Sequence, residues 1–481
     1  MFSNSIKNMN YHNRLTRKVM KHLYCPLLVL CISLIPFSAA DAQIKFEVSP
    51  NGRYLQTVDG IPFFINACTA WTLSVDYTCD EVEAYLDNRL KEGFNTIQMS
   101  AVFSEIDKTM YRKAFHNNDI SQPVDSYWKQ VDWCIKEATD RGLVVILNPI
   151  WKRSVNEFIQ QQGENKCRAY GRWFAERYKD NPRVFYFIGG DQIPEPVRGE
   201  MNAMGEGIQE VYGGRAIVAY HSCGSQSSKE AFPDASWLTL NWTYAYTPAY
   251  KFEGIPRYPY QMNYENIKRY KNIPVQFGEG YYDFGTAKKY PANGITGRWG
   301  NRYVIRRQIW WNVTSGAVGV AYGAEGIWHK NRDGETWLKC LEYESSKDMG
   351  RLKRLFDSLG WWKLYPDMNH EVLVSGYGEY LTDNYATAAV ADDMSFALIY
   401  TPVPHVLHIR VPEKLKKWVT VMKWFDPTNG EKSDVKDYVL KDDNLIVTSP
   451  SVNSSSAGDW VLILGFSEND SCGTHRNISD I

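Results

Sequence analysis

Between Phe63 and Ser358 short apolar runs alternate with longer amphipathic stretches, and eight such alternations in roughly 300 residues restrict the fold more than any other feature of the chain. The apolar runs are Phe63–Asn66, Phe94–Met99, Leu143–Leu147, Val184–Ile188, Ala216–Tyr220, Trp237–Asn241, Val275–Phe277 and Gly319–Tyr322, each read as a buried strand. Between them the helical period returns. Thr78 opens a predicted helix over Cys79–Glu92, with Val82, Tyr85, Leu86 and Leu90 on one face, and Gly142 ends another over Ser126–Arg141. Further helices are predicted over Asn165–Tyr178, Met201–Val211, Tyr264–Tyr270, Tyr303–Thr314 and Ser345–Ser358. An open sheet of eight strands is a poorer fit than a closed α/β barrel, so the predicted fold class is a (β/α)8 TIM barrel. No G-x-G-x-x-G follows a strand, which removes the phosphate turn a dinucleotide-binding fold requires.

Both flanks of the barrel read differently. Phe46 to Thr57, with Asn51-Gly52 at its centre, is a predicted hairpin that closes the bottom of the barrel. Past Trp361-Trp362 the helical period disappears. Val390–Tyr400, Val406–Val411, Val419–Phe425 and Trp460–Leu464 are short β-type runs broken by Pro, Gly, Asn and Asp, the pattern of a small antiparallel β-sandwich, and Ser451 to Ser456 is a loop. At the N-terminus Arg14, Arg17, Lys18 and Lys21 precede an apolar run from Leu23 to Pro36 and then Ala40-Asp41-Ala42. That is the order of a cleaved secretory signal, and the run is too short to span a bilayer. The expected organisation is a signal peptide over 1–42, a barrel with its hairpin over 43–362, a sandwich over 363–466 and a disordered polar tail over 467–481. Export to the periplasm, cell surface or exterior of a bacterium follows from that reading.

Composition sets limits on partners. The formal net charge is −1, and five basic groups sit in the N-terminal segment, so the remainder is acidic and nothing in the sequence suggests a nucleic-acid partner, which would want a basic face. Nine cysteines include no C-x-x-C pair, and Cys68, Cys134 and Cys167 fall in predicted strand or helix as small buried residues. Aromatic residues make up 14% of the chain, with 17 Trp and 31 Tyr, enough to fill a large core and leave some rings exposed for stacking on sugar faces.

Two acids stand where a barrel collects catalytic groups, just past the C-terminal ends of strands. Ile188-Gly189-Gly190-Asp191 ends the fourth strand, and Phe277-Gly278-Glu279-Gly280 repeats the same grammar at the seventh. A pair of strand-end carboxylates fits glycoside hydrolysis, with Asp191 as general acid/base and Glu279 as nucleophile in a retaining scheme, the acid's pKa being raised by the second carboxylate and by burial. Taken alone, Asp191 also suits a helix cap, and Glu195 and Glu325 are rival acids. The other strand ends carry Thr69 and Trp71, Gln98, Asn148, Trp151 and Lys152, His221, then Asn241, Trp242 and Tyr244, and finally Tyr322, Trp328 and His329, candidates for hydroxyl recognition and ring stacking on an oligosaccharide or polysaccharide. Neither H-x-x-x-H nor H-x-H occurs and no G-x-S-x-G elbow appears, so neither a metal nor an organic cofactor is expected. The alternative to an enzyme is a catalytically silent carbohydrate-binding or adhesive surface protein, which has no need of both acids.

Several phrases together are similar to one family: Asn51-Gly52-Arg53-Tyr54-Leu55, Asp59-Gly60-Ile61-Pro62-Phe63-Phe64, Thr69-Ala70-Trp71, Tyr170-Gly171-Arg172, Gly189-Gly190-Asp191, Tyr220-His221, Trp424-Phe425-Asp426-Pro427 and Gly458-Asp459-Trp460. They resemble the apiosidase-like glycoside hydrolases, secreted bacterial proteins that join a TIM barrel to a collagen-binding-like sandwich. The resemblance implies Asp191 as acid/base, Glu279 as nucleophile, and release of apiose-linked branches from pectin as the best-understood activity. Where relatives tend to read Gly-Asp-Thr-Ala-Trp this chain has Ala67-Cys68-Thr69-Ala70-Trp71, and Gln192-Ile193 replaces the usual Arg-Asn after the acid.

Overall fold

The computed structural model describes residues 45–245, 257–284, 299–411 and 416–465. The expected signal peptide over 1–42 and the expected tail over 467–481 lie outside these. Eight parallel strands form the barrel: Ile65–Thr69, Thr96–Ser100, Val144–Asn148, Val184–Gly189, Val218–His221, Asn241–Tyr244, Val275–Glu279 and Gly319–Gly323. Their ladder runs without a break from the fifth strand back through the first to the eighth, seventh and sixth. Between the fifth and sixth the seam closes by single bonds, with the amides of Thr239 and Leu240 donating to the Val218 carbonyl at 3.0 and 3.1 Å.

Seven of the eight predicted strands fall within a few residues of their observed places. The sixth does not. The apolar pair Trp237-Leu238 is read from sequence as strand, yet Trp237 packs over Gly205 of the helix Arg198–Tyr212 and donates its Nε1 to Asn202. The strand itself starts at Asn241, so Asn241 lies at the bottom of the barrel, opposite Val275, and not at the mouth. The helix opened by Thr78 lands close to expectation because its cap is readable. Thr78 and Glu81 form a reciprocal capping box at the start of Cys79–Lys91. The helix predicted from Asn165 is the second half of Asn156–Tyr178, which bends at Gly163, where φ is +69°.

A three-stranded antiparallel sheet of Phe46–Val48, Leu55–Thr57 and Pro62–Phe63 closes the bottom. It does so through aromatic contact, with the Phe46 ring 4.9 Å from Phe63 and 5.3 Å from Phe185 of the fourth barrel strand. At the other end of the chain two antiparallel sheets pack face to face. One has six strands in the order Leu364–Pro366, Thr387–Ala391, Ala397–Thr401, Trp460–Leu464, Lys423–Phe425, Lys432–Asp434. The other has four, Leu373–Ser375, Val406–Arg410, Asn444–Thr448 and Tyr438–Lys441. Leu407, Ile409, Leu445 and Val447 of the smaller sheet meet Ile399 and Leu462 of the larger in a separate core. Among the described residues no helix is long and apolar enough to cross a membrane.

Aromatic abundance goes mainly inward. Trp71, Trp128, Trp151, Trp237, Trp242, Trp310, Trp311 and Trp418 rank among the largest buried side chains, and among the described residues the exposed large rings are the tyrosines Tyr365, Tyr380 and Tyr438. Cys68, Cys134 and Cys167 are buried and unpaired, as small core residues would be.

Candidate active site

The backbone at the end of the fourth strand is built for one purpose, to turn Asp191 back over the barrel. Gly189, Gly190 and Asp191 all have positive φ, at +95°, +136° and +59°. A Cβ on Gly190 would sit 2.6 Å from the Trp151 ring, so only glycine lets strand and indole approach this closely. Asn148, from the third strand, fastens the turn by donating Nδ2 to the carbonyls of Phe187 and Gly189. Asp191 is 1% exposed, and its carboxylate accepts from Tyr244 at 2.8 Å on Oδ1 and from Arg153 at 2.8 Å on Oδ2. Arg153 also reaches Glu105 at 3.3 Å. A cation thus bonds Asp191 directly, where the sequence reading supplied a second acid and burial.

Glu279 is placed by a different device. The pairing of the seventh strand with the sixth shifts register between Phe277 and Glu279, and such a bulge re-aims the side chain that follows it. Gly278 lies against Trp242 so closely that a Cβ there would overlap the indole. Glu279 Oε1 accepts from the Tyr282 hydroxyl at 2.8 Å, and that hydroxyl in turn accepts from Trp71 Nε1 at 2.8 Å.

His221 joins the two acids. Its Nδ1 accepts the Asp191 amide at 3.1 Å, which leaves the proton on Nε2, and Nε2 donates directly to Glu279 Oε2. Donor atoms of Asp191, His221 and Glu279 all lie within 4.8 Å of one another. Three such side chains can hold a cation in principle. Here the imidazole spends one nitrogen on the Asp191 amide and the other on Glu279, so the ring has no lone pair left to turn toward an ion. Around this centre stands an aromatic wall: His221 lies 5.1 Å from Trp151, 5.2 Å from Trp242, 5.1 Å from Tyr244 and 5.8 Å from Trp71.

A barrel mouth with two acids bridged by one histidine is a hydrolase-like constellation, and comparison with known proteins decides the family. The family described as "Apiosidase-like, catalytic domain" matches residues 49–363, and "Putative collagen-binding domain of a collagenase" matches residues 370–465. The chain belongs to the apiosidase-like family. It is a glycoside hydrolase. Among solved structures it is similar to one titled "Glycoside hydrolase", with TM-score 0.71 and 23% identity, covering 89% of this chain and 98% of that one. It is also similar to a family 5 glycoside hydrolase from Bacteroides vulgatus, with TM-score 0.70 and 22% identity, covering 90% and 95%. No functionally curated protein matches the chain.

The other candidates of this apiosidase-like chain divide by position. Trp71, Trp151, Trp242 and Tyr244 surround the acids, as described, and Trp328 approaches Tyr282 at 5.9 Å. Thr69 and Gln98 form a layer of the barrel interior under Glu279: Gln98 donates to Thr69 Oγ1 at 3.1 Å and to the Gly278 carbonyl at 3.0 Å, and accepts from Gln276 at 3.1 Å. Lys152 is buried beside the turn, donating to Gln192 Oε1 at 3.2 Å and to the Glu195 carbonyl at 2.9 Å.

Two candidates are not brought to the acids. Asn241 accepts from the Lys229 amide and donates to Asn266, holding neighbouring helices at the bottom of the sixth strand. Tyr322 turns to the outer side of the eighth strand, where its ring packs on Phe94 and its hydroxyl donates to Asp283. Burial pushes the Tyr322 phenol well up, so it stays a neutral donor there. Of the rival acids, Glu195 is half-exposed, and Arg198 holds its carboxyl below the ordinary range. Glu325 is buried at the start of the short helix Glu325–Trp328.

Sequence reasoning passed over Arg153 and Tyr282. Arg153 follows the named Lys152 directly, and Tyr282 stands three residues after Glu279, so proximity to named residues was the available signal. The structure also shows where Cys68 points. It points outward from the first strand to Arg89, whose Nη1 lies 3.8 Å from its Sγ, and does not border the mouth. Arg89 is fully buried and is satisfied by Ser346 Oγ, the Leu341 carbonyl and Asn88, with no carboxylate in ion-pair reach among the described residues.

Proposed function

We propose that the protein is an exported glycosidase that removes a sugar from a side chain of a plant polysaccharide, pectin foremost, by a two-carboxylate retaining mechanism. The observation that carries this reading is the approach of the Asp191 and Glu279 carboxylate oxygens to within 4.8 Å. Retaining enzymes hold their carboxyl groups roughly 5–5.5 Å apart, whereas inverting ones leave roughly 6.5–9.5 Å for a water molecule.

In this reading Glu279 attacks the anomeric carbon while Asp191 gives its proton to the departing oxygen. Water, deprotonated by Asp191, then cleaves the glycosyl–Glu279 ester. His221 Nε2 and the Tyr282 hydroxyl each donate to Glu279, which orients one oxygen for attack and steadies the carboxylate released at the end. Tyr244 fixes the opposite face by holding Asp191 Oδ1. Export rests on the N-terminal charge and apolar pattern, and the pectic substrate on family membership alone.

The test is sugar release from a panel of pectic and hemicellulosic oligosaccharides by the native protein, Asp191→Asn and Glu279→Gln. Loss of release in both folded variants, by roughly 10²–10⁴-fold, upholds the assignment, and proton NMR of the first-formed anomer reads retention directly. An inverted product, or full activity without Glu279, overturns it. Binding of oligosaccharide with no release from any panel member favours the silent-binder reading.

A further inference from the structure

The helix Arg302–Thr314, between the seventh and eighth barrel strands, carries two faces that do different things. Toward the barrel, buried Gln308 accepts the Tyr281 amide on Oε1 at 2.9 Å and donates Nε2 to the Tyr281 carbonyl at 3.0 Å. A side-chain amide thereby pairs with a backbone peptide as a neighbouring strand would. Gly280 permits it, because a Cβ there would meet Gln308 Oε1 at 2.7 Å. Asn312, one turn on, donates to the Gln308 carbonyl and accepts from Asn263, so this face is tied down along its length.

Toward the C-terminal sandwich the same helix is held more firmly still. Arg306 makes a two-pronged pair with Asp459 at 2.7 and 2.6 Å and reaches Asp348 at 3.3 Å. Tyr303 donates to the Pro402 carbonyl at 2.9 Å, Trp311 to the Tyr385 carbonyl at 2.8 Å, and Thr314 bonds Thr387 at 2.6 Å. Asp459 is itself fixed by Asn453 at 2.8 Å.

Tyr281 is the residue before Tyr282, whose hydroxyl holds Glu279. We infer that Gln308 is a positioning residue for Glu279, acting through the clamped peptide of Tyr281 and the hydroxyl of Tyr282, and that the sandwich contributes to the active site by fixing the helix that carries Gln308. The catalytic consequence rests on the reading of Glu279 as nucleophile; the positional link does not.

The experiment uses the full chain labelled with ¹³C-carboxyl glutamate, the Glu279 resonance being the one absent from Glu279→Gln. Its titration midpoint is compared among the native protein, Tyr282→Phe and Gln308→Met, the last keeping side-chain length while removing both bonds to Tyr281. Loss of a hydrogen bond to a carboxylate raises its midpoint, so Gln308→Met is expected to move Glu279 upward by about half a pH unit or more, in the direction of Tyr282→Phe. On any panel oligosaccharide that is cleaved, kcat is expected to fall about tenfold with KM changed less than about twofold, a loss confined to the transition state. A Glu279 midpoint unmoved in Gln308→Met overturns the proposal. Should that variant fail to fold, Gln308→Asn, which stays neutral but is one methylene too short to keep both bonds to Tyr281, reads the same shift with the same two outcomes. Hydrolysis surviving in Glu279→Gln overturns the nucleophile assignment instead, and leaves the midpoint comparison standing.

Discussion

His221 donates Nε2–H to Glu279 because its Nδ1 already accepts the amide of Asp191. One imidazole therefore couples the backbone of one acid to the carboxylate of the other, and its tautomer is set by the turn at Gly189-Gly190. Replacing it by Phe removes a donor to a charged acceptor, worth about 1.5–3 kcal/mol. The expected result for His221→Phe is a fall in kcat of about 10- to 100-fold, measured on whichever oligosaccharide the native protein cleaves. Nitrogen-15 NMR of the native protein is expected to show an unprotonated Nδ1; a protonated Nδ1 contradicts the tautomer argued above.

The second prediction concerns the turn itself. Gly190 has φ of +136°, a region closed to side chains, and its missing Cβ is filled by the Trp151 ring. Gly190→Ala adds backbone strain of about 1–3 kcal/mol and a clash with an indole that is buried on every side. Activity is expected to fall below a hundredth of native while circular dichroism stays native-like. Near-native activity in Gly190→Ala contradicts the view that this turn sets Asp191.

These two sites also show why part of the molecule was legible in sequence. Strands walled by helices are apolar on both faces, so their existence and order stand out, and Gly-Gly-Asp and Gly-Glu-Gly mark where two of them end. The same double burial hides which side chains face inward. Tyr322 and Cys68 point out of the barrel while Thr69 points in, and nothing in the neighbouring residue types separates them. The sixth strand is misplaced from sequence because Trp237, which reads as strand, packs on a helix instead. Arg153, Tyr282 and Gln308 act through pairings that only the closed barrel creates.

Positions 68 and 192 depart from the pattern the family tends to show, and the structure separates their consequences. Cys68 faces buried Arg89, so Cys68→Asp is expected to supply that guanidinium with a carboxylate, raise stability by about 1 kcal/mol and leave sugar preference unchanged. Gln192 Oε1 accepts from Lys152 and Asn156 next to the acid, so Gln192→Arg sets a second cation against Lys152 and is expected to change KM. Thermal midpoints and KM for both variants check the separation; altered preference in Cys68→Asp contradicts it.

A pH effect on stability follows from Asp393. Partial burial raises its pKa, but the bonds from Lys363 at 2.6 Å and from the Ser395 amide at 2.9 Å outweigh that and bring it down to about 2. A carboxyl depressed on folding stabilises above its unfolded pKa, about 3.9, and loses that contribution as pH falls through about 2. Because the side chain is 44% exposed, solvent screening keeps the contribution under about 1 kcal/mol. The thermal midpoint of Asp393→Asn is expected to lie slightly below native at pH 6 and to converge with it near pH 2. A gap that widens on acidification contradicts the sign.

The pair between Arg306 and Asp459 makes the last prediction, because both side chains are almost entirely removed from solvent. Coulomb attraction between such groups is offset by the cost of desolvating them, so the pair is weak evidence of net stabilisation. Removing one partner is different, since it leaves the other charge buried without compensation and costs about 3–5 kcal/mol. Arg306 in Asp459→Ala retains only Asp348, which Arg302 already engages at 2.8 and 2.7 Å. Asp459→Ala is therefore expected to lower the thermal midpoint by several degrees, and the double variant Arg306→Met with Asp459→Leu to recover part of that loss. If helix Arg302–Thr314 transmits the sandwich's hold to Gln308, then Asp459→Ala also raises the Glu279 midpoint below the melting temperature, while the double variant, with the helix repacked, restores it. Calorimetry and the carboxyl titration together separate the two effects: a stability loss with Glu279 unmoved assigns the sandwich a purely structural role.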